Sequence, residues 1–193
     1  LAADAQTERV RLSTPATIGR LTAVAGAGPV GRWDEANVLT VFYPSGEFAS
    51  LPEAQVLSGS NSALLETAEG WELVQFRTAT LVAPGVWELS GLLRAQRGSI
   101  SAPADVGARL VLLDSAIQRA PVSAEEVGAS LQWQASPGDA ANVLAFEDRA
   151  GLPWRVAHLR ESDGGLVWTR RGADVPESWA LPEAENTGRF AVE

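Results

Sequence analysis

The chain has 193 residues, 46% hydrophobic and 20% charged, enough for one large domain or two small ones with a sizeable apolar core. A net charge of −9 and a pI near 4.7 exclude the basic footprint of a nucleic-acid binder and disfavour an anionic membrane surface. No apolar run reaches the length of a membrane span, and the absence of cysteine removes disulfides and thiolate sites.

In chain order, Leu1–Arg11 lacks the apolar stretch of a secretory leader, and a start at Leu1 points to a piece of a longer polypeptide. Asn37–Tyr43 alternates with period two, Val38, Thr40 and Phe42 against Leu39, Val41 and Tyr43, which predicts a strand. Leu51–Leu57 and Ser60–Thr67 read as short helices, the second capped by Ser60 or Asn61. Trp71–Arg77 is a second strand, with Glu72, Val74 and Phe76 on one face and Trp71, Leu73 and Gln75 on the other. Val86–Arg94 is a third, with Trp87, Leu89, Gly91 and Leu93 sharing a face. Pro84-Gly85 between them suits a type II turn, because Pro fixes φ at the first central position and Gly accepts positive φ at the second; Thr78–Arg94 is thus a hairpin.

Leu110–Leu113 is a short apolar strand. Ser123-Ala-Glu-Glu126 has the spacing of a capping box and predicts one helical turn after Pro121. Turn-rich stretches at Ala120–Ser123 and Ser136–Asp139 surround a single strand, Leu131–Ala135, and mark a boundary between Asp114 and Ser136. Trp154–Glu161 and Leu166–Arg171 flank Ser162-Asp-Gly-Gly165 as a second hairpin, and Arg189–Glu193 is strand-like.

No constellation of catalytic or metal-ligating residues stands out. His158, the single histidine, sits in an alternating strand and reads as a packed or surface side chain. Ala25-Gly-Ala-Gly-Pro29 ends in a proline that interrupts a phosphate loop. Paired carboxylates such as Glu125-Glu126 and Glu147-Asp148 fit solvated faces. The sequence therefore predicts no catalytic residue, no cofactor and no metal. Of the seven tryptophans, Trp87 and Trp168 share faces with leucines and read as packing, whereas Trp33, Trp154 and Trp179 lie near breaks or strand ends and are candidates for a binding surface. Arg170 and Arg171 place one guanidinium on each face of their strand and join that candidate surface.

Several motifs, taken in order, resemble one family. They are Ala16-Thr-Ile-Gly19, Gly28-Pro29, Gly31-Arg-Trp-Asp34, Leu57-Ser-Gly-Ser-Asn61, Leu89-Ser-Gly-Leu-Leu-Arg-Ala-Gln-Arg-Gly98, Gly107–Asp114, Ala157-His-Leu-Arg160 and Trp168-Thr-Arg-Arg171. In content and order they resemble the C-terminal region of the baseplate hub proteins of gene transfer agents and related long-tailed phages, the megatron or host-specificity-like tail-tip proteins. The match departs at Gly172-Ala173, where the family pattern continues with another arginine.

The expected fold is mainly β: a β-barrel or sandwich-like domain with short helices over residues 1–117, then a smaller β module over 118–193, which the resemblance implies is the start of a fibronectin III-like module, either truncated or with its last strands packed on the preceding domain. The resemblance implies a structural, non-enzymatic protein at the distal tail end of a virion or gene-transfer-agent particle. Its partners would be other hub copies in a trimer, neighbouring tail proteins and a host surface polysaccharide or receptor. The competing expectation is a carbohydrate-binding module that uses exposed indoles.

Overall fold

The structure, a computed structural model, describes residues 7–136, 138, 141–147, 157–162 and 165–169. The chain divides into two compact units, Leu1–Ala150 and Gly151–Glu193. In the first, six strands close into an antiparallel barrel in the order β1-β2-β5-β4-β3-β6. They are β1 (Ile18–Leu21), β2 (Leu39–Phe42), β3 (Ser62–Thr67), β4 (Gly70–Ala83), β5 (Val86–Leu93) and β6 (Arg109–Leu112). Closure pairs every strand on both sides, so the sheet has no open edge to aggregate along.

The alternation read from the sequence sets which side chains enter. Leu39, Val41 and Tyr43 point inward while Val38 and Phe42 stay exposed. Glu72, Val74 and Phe76 line the interior from β4, and Leu21, Leu65, Leu89, Leu92 and Leu110 complete it. Phe48 wedges into this core, 4.5 Å from Tyr43, edge-on to Phe76 at 5.5 Å and edge-on to Trp87 at 5.7 Å. Burial raises the Tyr43 phenol above its ordinary pKa.

The Pro84-Gly85 turn joins β4 to β5, with Gly85 at φ +70° as the type II geometry requires. A helix α1 (Glu53–Leu57) occupies part of the expected Leu51–Leu57. Ser123 and Glu126 form the reciprocal capping box around a single 3₁₀ turn, Ala124–Glu126.

Two expectations are corrected. Ser60–Thr67 is not helical: β3 occupies Ser62–Thr67, with Ala63 and Leu65 inward and pairing to both β4 and β6. The inward face of β5 also differs. Leu89 and Leu92 both reach the core, because the strand changes phase at Gly91, which holds φ +62°. A Cβ there would lie 3.1 Å from Arg77 Cβ on the neighbouring strand. Leu93 consequently pairs with Gln75 on the other face, where Gln75 Nε2 donates to the Val56 and Ser60 carbonyls of α1 and its exit.

After the barrel, β7 (Ser130–Gln134) pairs with β8 (Ala141–Ala145) in a separate hairpin, so the strand expected at Leu131–Ala135 has a partner that the sequence reading missed. Arg9 ties the N-terminal segment to this region, donating to the Pro121 carbonyl at 3.1 Å and to both Glu126 oxygens. In the second unit, β9 (Ala157–Ser162) and β10 (Gly165–Thr169) form the hairpin predicted around Ser162–Gly165. His158 falls in β9 and Trp168 in β10. The strand expected at Arg189–Glu193 lies outside the described residues.

Candidate interaction surface

Glu72 is a carboxylate on the apolar face of β4, and a buried charge requires a partner. The phase change at Gly91 supplies one, because it turns Arg94 inward at the end of β5. Both are fully buried, at 0% exposure. Arg94 Nε and Nη2 donate to Glu72 Oε1 and Oε2, each at 2.8 Å, in a two-pronged fork. Its Nη1 donates to the Gly26 carbonyl at 2.9 Å and lies 3.7 Å from Asp34 Oδ2. Asp34 in turn accepts from the Ala36 and Asn37 backbone N–H groups and from Asn37 Nδ2.

These contacts pin residues 25–37 across one end of the barrel. Bridges from Ala25 to Ala104, Val30 to Arg94 and Asp34 to Leu92 stitch the same segment down. Gly28 passes so close that a Cβ would sit 2.2 Å from Asp34 Oδ2. The two carboxylates and the guanidinium are buried, and each is hydrogen-bonded within the cluster or to neighbouring backbone groups. Among the described residues, no group of three or more His, Asp or Glu side chains is placed to hold a metal ion.

Trp33 emerges from this segment and is half-buried. Its indole N–H donates to Glu53 at 3.3 Å, and the Arg77 guanidinium lies over its ring at 5.0 Å while bonding Glu35 at 2.9 and 3.1 Å. The same glutamate–arginine–indole arrangement recurs twice. Arg109 lies 5.0 Å over Trp71 and bonds Glu66, and Arg9 lies 5.9 Å over Trp133 and bonds Glu126. The Arg109 side chain, then its backbone N–H, holds the Glu66 carboxyl down at about 2. The Arg9 side chain, followed by the Ser123 backbone N–H, does the same for Glu126, also to about 2.

A sugar platform needs an open ring face, and in these three indoles a guanidinium occupies one face. Trp71 is more open than Trp33, Trp87 and Trp133, at 44% exposure, and Trp87 packs on the barrel core. Trp154, Trp179, Arg170 and Arg171 lie outside the described residues, so Trp33 is the member of the sequence-derived surface that has a described position. The buried cluster had one sequence signal, Glu72 on the Val74–Phe76 face. A cleft of 460 Å³ lies between Leu12–Ala16 and Ala116–Gln118 and contains no acidic or basic side chain.

Residues 16–111 match the model of a family described as Rcc01698-like, C-terminal, a family associated with the Rhodobacter capsulatus gene transfer agent. The matched span is just under half of the chain and takes in the barrel from before β1 into β6. No curated protein matches the chain. The match fits a gene-transfer-agent or phage-associated protein.

Proposed function

We propose that the protein is a structural component of a phage-like tail tip, the C-terminal region of a baseplate hub, engaged in tail assembly and attachment to the host envelope. The observation that carries this reading is the family match over the barrel, together with the order of motifs from Ala16 to Arg171. The barrel suits the role physically, since a closed sheet without open edges resists unfolding and strand exchange outside a cell. On this reading the chain makes and breaks no bond. Its partners are other hub copies, arranged as a trimer, and neighbouring tail proteins, at the distal end of a virion or gene-transfer-agent particle.

The second reading is a carbohydrate-binding module, and the exposure of Trp71 is what favours it. The guanidiniums over Trp33, Trp71 and Trp133 weigh against it. Deleting residues 16–111 in a producing strain separates these readings. Loss of complete tails in electron micrographs supports the assembly role. Normal tails with lost adsorption to host polysaccharide support the sugar-binding role, and normal tails with normal adsorption refute both.

A further inference from the structure

The strand register lays an apolar stripe across the outside of the barrel. Leu73 pairs with Leu64, Leu64 with Val111, and Val111 with Ile18, so four outward side chains cross four adjacent strands in one row. Leu73, Leu64 and Val111 are half-buried, and Ile18 is 45% exposed at the open end of the row. The stripe runs toward the 460 Å³ cleft, where Leu12, Pro15 and Ile117 extend the apolar surface just before β1 and after β6.

The next row over is charged. Arg20 pairs with Arg109, which is held by Glu66 at 2.7 Å, and Arg20 pairs on its other side with the exposed Phe42. Arg20 donates one hydrogen bond, to the Gly107 carbonyl at 3.1 Å, and has no carboxylate at ion-pair distance among the described residues. The row thus holds two guanidiniums and the one carboxylate that Arg109 binds, and carries a net positive charge in a chain of net −9.

We propose that this outer wall is a docking face for an amphipathic helix of a partner protein, with an aliphatic ridge on the stripe and a glutamate or aspartate beside it that reaches Arg20. The spacing selects a helix. Cross-strand neighbours stand about 4.8 Å apart, close to the roughly 5–6 Å between side chains three or four apart on a helix. A partner strand lying across the row would place same-face side chains about 6.8 Å apart. Four positions span roughly 14 Å, about ten residues of helix. The charge then specifies the flank, because the uncompensated guanidinium rejects a basic helix and steers an acidic one. The inference stands on register and charge and does not depend on the tail-tip reading.

The test titrates the full chain with two capped helical peptides that share a leucine ridge, one flanked by glutamates and one by lysines. Calorimetry reads affinity and methyl NMR reads the site. Saturable binding of the glutamate peptide, with shifts at Ile18, Leu64 and Val111, is expected, and the lysine peptide should bind about tenfold more weakly or less. Arg20→Glu should reverse the preference, and Ile18→Thr should weaken both peptides if the charge reversal fails to fold. Equal affinity for the two peptides, shifts elsewhere, or no binding at all would overturn the proposal. So would concentration-dependent shifts at the same methyls without peptide, which would assign the face to a second copy of the chain.

Discussion

Replacing Arg94 by methionine keeps most of the side-chain volume but leaves Glu72 and Asp34 buried without their cation. Removing one partner of a buried pair costs about 3–5 kcal/mol. The Gly26 and Ala102 carbonyls also lose donors that reached them at 2.9 and 3.4 Å, worth together about 1 kcal/mol or more. The expected loss is therefore about 4–6 kcal/mol, a large part of the roughly 5–15 kcal/mol that holds a domain together. With a urea slope near 2 kcal/mol/M, the midpoint should fall by about 2–3 M. Tryptophan fluorescence follows the transition, and hydrogen exchange at the Leu89 and Leu92 amides assigns it to the barrel. The double variant Arg94→Met/Glu72→Met should regain about 2 kcal/mol or more, since it removes the carboxylate bound most closely by Arg94, while Asp34 keeps its bonds to Ala36 and Asn37. A midpoint shift under about 0.5 M, or additive losses in the double variant, would refute the claim that this fork closes the barrel end.

Gly28→Ala forces a Cβ to within 2.2 Å of Asp34 Oδ2 and 2.7 Å of Arg94 Cγ, and should cost roughly 1–3 kcal/mol in the same urea experiment. Glu66 should titrate near 2 in carboxyl NMR, well below its ordinary 4.5. Because that pKa is lowered by folding, its contribution is complete above about 4.5 and drains away as pH falls toward 2; Glu66→Gln should flatten stability in that window, and a midpoint above about 4 would contradict it. Arg77→Ala should uncover the Trp33 ring, raising acrylamide quenching while changing stability by no more than about 1 kcal/mol, since the Glu35 pair is largely solvated.

The legible parts of the fold were those where local chemistry and tertiary demand agree. Pro84-Gly85 specifies its own turn, Ser123 and Glu126 cap each other across three residues, and Leu39, Val41 and Tyr43 alternate against exposed neighbours. β3 was hidden because Ala63-Leu-Leu-Glu66 consists of good helix formers and is apolar on both faces. Leu64 packs outward beside Leu73 and masks the alternation that Ala63 and Leu65 carry inward. The phase change at Gly91 was also invisible, since a glycine within an alternating run reads as one more small residue until its φ of +62° is seen. The Arg94–Glu72–Asp34 cluster joins residues far apart in the chain, and periodicity speaks only of neighbours. Its one local trace was a glutamate on an apolar face. Trp33 was found as a candidate from its place at a break in the pattern, but the arginine over its ring, Arg77, comes from β4, far along the chain, and could not be read there.

On the proposed function, this barrel sits at the tip of a tail. Gold-labelled antibodies raised against residues 16–111, applied to purified tailed particles and viewed by electron microscopy, test it most directly. Label concentrated at the distal tail end is the predicted result. Particles that carry label on the capsid or along the tail shaft, or that carry none when the protein is abundant in the producing cells, would contradict it.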